Sequence, residues 1–208
     1  MAEIRRAFMP LHPQLVIMAK QPLIGRAKTR LARDIGAVEA LRFVRVTGDT
    51  LLRRVARNPR WRTLVAVTPD SACAEKGFWP ADIPRIAQGA GDLGARMGRL
   101  FRTLPQGPVL IIGSDIPDIT RRHIAEGFTA LRAHDTVLGP AEDGGYWLIG
   151  MKRRPRIVDI FEGVRWSSEH AMEDTMRNIT ARGMSCALLD TLADIDTGAD
   201  LAAWRGRA

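Results

Sequence analysis

Seven short runs of apolar residues, most of them bounded by glycine or proline, recur along the chain at 14–19, 63–68, 83–88, 109–113, 136–139, 147–151 and 185–189. Runs of this length with such boundaries predict buried strands. Between them the apolar period changes to that of a helix. Leu41, Val44, Leu51 and Val55 fall on one helical face, as do Ile124, Phe128 and Leu131. A third helix is predicted through Met172, Met176 and Ile179, from a Ser167/Ser168 cap to a stop at Gly183, and a fourth from Gly91 through Met97 to Leu104. Strands alternating with helices predict an α/β fold, with a mainly parallel sheet covered on both faces. The Gly144-Gly145 turn predicts a local antiparallel addition. Without linker, repeat or low-complexity segment, residues 1–208 are expected to form a single domain.

In such sheets ligands sit beyond the carboxyl ends of the strands, so the residues after each run carry the candidate chemistry. After the first come Lys20, Gly25, Arg26, Lys28 and Arg30, four cations and a glycine within eleven residues. That loop, with the helix after it, can cradle phosphates, although it lacks the glycines of a Walker A loop. After 109–113 come Asp115 and Asp118, separated by Ile116 and Pro117. A strand-end carboxylate suits Mg²⁺, which is held by one or two carboxylates plus substrate phosphates and water. Asp115 is the expected ligand, and Asp118 is either the cap of the helix beginning near Thr120 or a further ligand. Asp143, Gly144, Gly145, Tyr146 and Trp147 combine an acid, two glycines and two aromatics, as a pocket wall or a core would. At the far end, Asp196 or Thr197 would cap a last short helix and leave Asp194 as a second metal ligand. Trp166, Ser167 and Ser168 are more simply a helix start. The four histidines share no spacing with a nucleophile and carry no assigned role.

Gly89-Ala-Gly91-Asp92-Leu93-Gly94 matches the dinucleotide fingerprint, with Asp115 about where a ribose-binding acid would fall. It keeps an NAD-dependent oxidoreductase as an alternative. Against it, Asp92 puts a carboxylate into the proposed pyrophosphate cradle, and a complete βα unit already precedes it. A non-catalytic nucleotide-binding protein is a further alternative, because no clear general base is visible.

Charge narrows the partners. Lys+Arg number 31 against 23 Asp+Glu, a formal charge of +8, yet only Lys20, Lys28, Lys76 and Lys152 are lysines. Two of these four stand in the first loop. The cluster Arg53, Arg54, Arg57, Arg60 and Arg62 is expected to be a solvated helix flank. No basic stripe with interleaved aromatics supports a nucleic-acid partner. The apolar runs are far shorter than the ~20 residues of a membrane span, and Pro10, His12 and Pro13 interrupt any signal-peptide core. Cys73 and Cys186 are expected to be free thiols, and the location cytoplasmic.

Taken in order, the blocks MAKQPLIGRAKTRLA (18–32), QGAGDLGARM (88–97), VLIIGSDIPDIT (109–120), VLGPAEDGGYWLIGM (137–151), FEGVRWSS (161–168) and LADIDTGADL (192–201) resemble the bacterial glycosyltransferase A-like, radical-SAM/selenodomain-associated transferases. These belong to the nucleotide-diphospho-sugar transferase superfamily, with phospholactate guanylyltransferase and the molybdenum-cofactor nucleotidyltransferases as distant cousins. The resemblance implies a GT-A fold, a Rossmann-like α/β/α arrangement of a mostly parallel mixed sheet. It implies a metal-dependent transferase, with Mg²⁺ or Mn²⁺, that moves a glycosyl or nucleotidyl group from a nucleotide donor to a small acceptor. It assigns Lys20, Gly25, Lys28 and Arg30 to the donor phosphates, with Lys28 and Asp115 as the catalytic pair. Gln88, Gly91, Leu93 and Gly94 fall to the base side, and Asp115 with Asp194 or Asp196 to the metal. Asp143, Gly144, Gly145, Tyr146, Trp147, Trp166 and Ser167 fall to the acceptor side. Many glycosyltransferases carry Asp-x-Asp after the central strand, whereas the spacing here is Asp-x-x-Asp.

Overall fold

The computed structural model describes residues 11–26, 28–75 and 77–207. Its strands are β1 (Gln14–Lys20), β2 (Arg62–Thr68), β3 (Arg85–Ala87), β4 (Val109–Gly113), β5 (Thr136–Pro140), β6 (Tyr146–Met151) and β7 (Cys186–Leu188). They form one seven-stranded sheet in the order β3-β2-β1-β4-β6-β5-β7. Only β6 runs antiparallel to its neighbours, β4 and β5, while β1, β2, β3 and β4 pair in parallel, as do β5 and β7. The predicted strands are all present. The run at 83–88 shortens to three residues because Pro84 withholds an N–H from the ladder.

Alternating side chains of the central strands feed both faces. Leu15, Ile17 and Ala19 of β1 and Leu110 and Ile112 of β4 enter one core, while Val16, Val109 and Ile111 enter the other. The first core is closed by α2 (Ala37–Val55) and α4 (Arg121–Ala133), through Leu51, Leu52, Val55, Ile124 and Leu131. The second is closed by α3 (Leu93–Thr103) and α5 (Ala171–Ala181), through Met97, Leu100, Phe101 and Ile179. Each fully buried side chain of this size contributes about 1.5–3 kcal/mol of apolar transfer energy. A third, small cluster joins Leu31 of α1 (Thr29–Ile35) to Ala40, Ile195 and Leu201 of α6 (Gly198–Arg207). That cluster ties the C-terminal segment to the chain just after β1. No helix among the described residues is long and apolar enough to cross a membrane.

Two expected helix starts are corrected, and at a third the structure chooses between the two expected caps. Thr120, not Asp118, caps α4: its hydroxyl accepts from the His123 N–H, and the His123 ring accepts from the Thr120 N–H. The third predicted helix begins at Ala171, without a side-chain cap, and Ser167 and Ser168 lie in the turn before it. The Ser168 hydroxyl is spent on Arg165 and His170 instead. At α6 the cap is Thr197, reciprocated by the Asp200 carboxylate, which accepts from the Asp196 and Thr197 N–H groups. Asp196 therefore keeps its side chain for other partners.

Candidate active site

Strand order departs in opposite directions from β1 and β4, so their carboxyl ends open a crevice at a topological switch point. A cavity of about 530 Å³ lies there. Arg30, Leu93, Asp115, Asp143, Gly145, Tyr146, Trp147, Trp166, Ser167, Asp194 and Asp196 all line it. Five acids (Asp115, Asp143, Glu169, Asp194 and Asp196) and one arginine (Arg30) face this volume.

Each part has a local cause. Asp115 leaves β4 on a short loop that Arg54 of α2 clamps, its guanidinium donating to the carbonyls of Pro117 (2.7 Å) and Ile119 (2.8 Å). Arg54 is thus a loop anchor rather than a solvated flank, a role that its place in a run of arginines conceals. Asp118 turns away from the cleft and accepts from Trp204 Nε1 at 2.9 Å. Asp194 and Asp196 arrive because the segment after β7 continues the sheet. Leu192 donates to Pro140 and accepts from Glu142, and Trp147 Nε1 donates to the Asp190 carbonyl at 3.0 Å.

The Lys28 ammonium joins these acids. Its Nζ lies 2.9 Å from Asp115 Oδ2 and 2.6 Å from Asp196 Oδ1, with only 9% of the side chain exposed. Burial alone would lower this lysine, but Asp115 and Asp196 outweigh it and hold the ammonium above its usual range. Arg30 adds a looser contact to Asp196 at 3.5 Å. The charge remains acid-heavy: burial first, then Asp196, with smaller contributions from Asp143 and Asp115, push Asp194 up to about 6 against the opposing pull of Lys28.

This donor set fits a hard divalent cation. Among the described residues no three side chains of His, Cys, Asp or Glu form a preassembled metal site. Carboxylate oxygens with an excess of negative charge nevertheless match the Mg²⁺ or Mn²⁺ pattern, in which substrate phosphates and water complete the shell.

The wall formed by Asp143, Gly145, Tyr146 and Trp147 is held together by backbone. Gly144 sits at φ +84°, and a Cβ there would strike the backbone of Glu169, while Met172 N–H donates to the Gly144 carbonyl. The wall's other half, around Trp166 and Ser167, is fixed by Arg165, which engages Asp174 through its N–H, Nε and Nη2 at 2.8–3.1 Å. Burial raises the Tyr146 phenol above its usual range, so this side chain stays neutral and offers no base. Gly144→Ala is therefore expected to cost about 1–3 kcal/mol and to pry the hairpin from Glu169. Thermal unfolding should show a lowered Tm, whereas Gly25→Ala, at a glycine with open space around it, should cost less.

Other expected residues lie elsewhere. Lys20, exposed at the end of β1, and Gly25, exposed on the loop after it, do not line the cavity. The Gln88 amide is buried and donates to the carbonyls of Ala19 (3.2 Å) and Ala66 (2.8 Å), which makes it a strut between strands. Gly94 packs beneath Trp166, where a Cβ would come within 2.6 Å of the indole. The glycine fingerprint is filled by its own chain. Arg99 donates to the carbonyls of Gln88 and Ala90, Arg96 to that of Gly91, and Asp92 caps α3 through the Ala95 N–H. An acid occupies the place a pyrophosphate would need.

Four similarities to known proteins bear on this site. The model of the family DUF2064, described as an uncharacterized protein conserved in bacteria, matches residues 51–168. A 2-phospho-L-lactate guanylyltransferase of Methanocaldococcus sp. (strain FS406-22) is 24% identical over 178 residues, which cover 86% of this chain and 75% of that protein. The crystal structure of a proposed nucleotide-diphospho-sugar transferase from Desulfovibrio desulfuricans G20 is similar with a TM-score of 0.87 and 27% identity. The match covers 92% of this chain and 85% of that one. Rv0371C of Mycobacterium tuberculosis H37Rv, solved in complex with manganese, shares the fold at a TM-score of 0.54 and 13% identity, over 94% and 98% of the two chains.

Proposed function

The chain belongs to the DUF2064 family of bacterial proteins, and from that premise we propose that it transfers a group from a nucleotide-activated donor to a small acceptor at the acid-rich cleft. One observation carries this reading. Carboxylates from β4 and from the C-terminal segment converge, with the Lys28 ammonium between them, at the carboxyl edge of a nucleotide-binding type of sheet. The guanylyltransferase relative and the nucleotide-diphospho-sugar transferase neighbour support the same class.

In the nucleotidyl form an acceptor oxygen attacks the α-phosphorus in line. The new P–O bond forms as the bond to the bridging oxygen breaks, and pyrophosphate leaves. Such a step asks the protein for position and charge more than for covalent chemistry. Asp115 with Asp194 or Asp196 would hold a divalent cation, which when bound neutralises the donor's phosphate oxygens. Arg30, at the mouth, contributes a delocalised cation suited to phosphate. Lys28 sets the separation of Asp115 and Asp196 and offsets part of their mutual repulsion. Leu93 presents an apolar edge to the donor, and Tyr146 and Trp166 wall the acceptor side. The glycosyl form, with attack at an anomeric carbon and departure of a nucleoside diphosphate, is the second reading. It rests on the name nucleotide-diphospho-sugar transferase that the Desulfovibrio protein carries.

A thermal-shift panel of nucleoside triphosphates and sugar nucleotides, each with and without Mn²⁺, tests the reading and chooses between its forms. A metal-dependent rise in Tm is expected with one class. Equal shifts with NADH and without metal would point to an oxidoreductase. Stabilisation by a nucleotide with no product from any acceptor would leave a binding protein.

A further inference from the structure

At the opposite end of the sheet a second cavity, of about 440 Å³, opens between α4 and the turns that precede β1, β2 and β4. Its volume lies within the range of small-molecule sites. Its floor is apolar: Trp61 and Phe128 meet with ring centroids 5.7 Å apart, beside Leu131. Four cations, Arg60, Arg132, Lys152 and Arg154, stand around it, and the Arg60 guanidinium lies over the Trp61 ring at 5.4 Å. The nearby acids are engaged. Glu126 pairs with Arg122, and Asp135, which accepts from the N–H and the hydroxyl of Ser185, balances part of the charge of Lys152 alone. The cleft described above faces the other edge of the sheet, so the proposed transfer has no use for these cations.

An apolar floor ringed by four positive charges fits a ligand with the opposite design. We propose that this cavity binds a small amphipathic anion, an alkyl or aryl chain ending in a phosphate or carboxylate. The apolar body lies on Trp61, Phe128 and Leu131, and the head group takes hydrogen bonds from Arg132, Lys152 and Arg154. Hydrogen bonds between such cations and an anionic head are the stronger kind, and the body adds burial of apolar surface. Neither half alone accounts for the lining.

The test uses the full chain, with octyl phosphate and octanoate, below their micelle concentrations, as probes in calorimetry and thermal shift. Inorganic phosphate and octanol serve as the two half-ligands. Saturable one-to-one binding of an octyl anion is expected, with both half-ligands weaker by roughly tenfold or more. The ratio of the two octyl anions identifies the preferred head group. R132E/R154E, at two exposed positions, should weaken the octyl anion at least tenfold, and T129W, which fills the cavity from an exposed position on α4, should do the same. Both variants should keep the metal-dependent nucleotide response, so failure here is distinguishable from failure of the transferase reading. Absence of saturable binding, equal binding of octanol, or undiminished binding in both variants would overturn the proposal.

Discussion

Asp115→Asn is expected to lower the rate of transfer by about 10²–10³-fold, the loss typical when one preorganised electrostatic group is removed from such a site. The substitution keeps the side chain's shape and removes its charge. Asp115 is 44% exposed on a loop whose course is set by Arg54 and by the buried Ile116 and Ile119, so the fold and Tm should scarcely change. Asp118→Asn supplies the internal control. It alters the other acid of the Asp-x-x-Asp pair, which the structure turns toward Trp204. Transfer should stay near the wild-type rate there, and loss of the indole contact should appear only in stability. Equal loss of activity in the two variants would show that the loop acts as a unit and that Asp115 has no special place.

Lys28→Met is the second large effect and separates two roles for the same ammonium. Lys28 bridges Asp115 and Asp196, so its removal leaves like charges facing one another without their nearest cation. A divalent ion then meets less competition, and Mn²⁺ alone should bind about tenfold more tightly or better, a change of about 1.4 kcal/mol. Turnover should fall by about 10²-fold or more, because the carboxylates lose the group that spaces them. Titration of the protein with Mn²⁺, followed by paramagnetic relaxation of water, reads the first effect without any assay of transfer. Weaker Mn²⁺ binding in Lys28→Met would mean that the ammonium's spacing of the acids outweighs its competition with the metal.

The fold was legible in the chain because each core strand is a short apolar run buried on both faces, and each helix repeats its apolar residues with a helical period. Helix starts were harder. Serine and aspartate side chains beside a helix satisfy the pattern of a cap whether or not they make it, and Thr120 and Thr197 make it where other residues also qualified. At the site, the residues after β4, β5 and β7 were visible as candidates because sheet topology gathers strand ends. Their directions were not. Whether Lys28 faces a ligand or its neighbouring acids depends on a segment 168 residues away, and no local spacing encodes that contact. Gln88 likewise looks like a base-reading amide until its N–H groups are found donating to the carbonyls of Ala19 and Ala66. Arg54 was hidden by abundance, since nothing in a run of arginines marks the one that holds a loop. His123, with no assigned role, closes the cap of α4 and packs against Trp147 at 5.6 Å between ring centroids. Its contribution lies in the wall behind the cleft.

The central claim is that Asp115 and the C-terminal acids take a nucleotide-activated donor together with a divalent ion. Isothermal calorimetry tests it most directly, with the nucleotide that stabilises the protein most, in the presence and absence of Mn²⁺, on the wild-type chain and on Asp115→Asn. Tight binding that requires Mn²⁺ in the wild type and is lost in the variant is the predicted result. Binding of equal strength without the metal, or unchanged in Asp115→Asn, would contradict it.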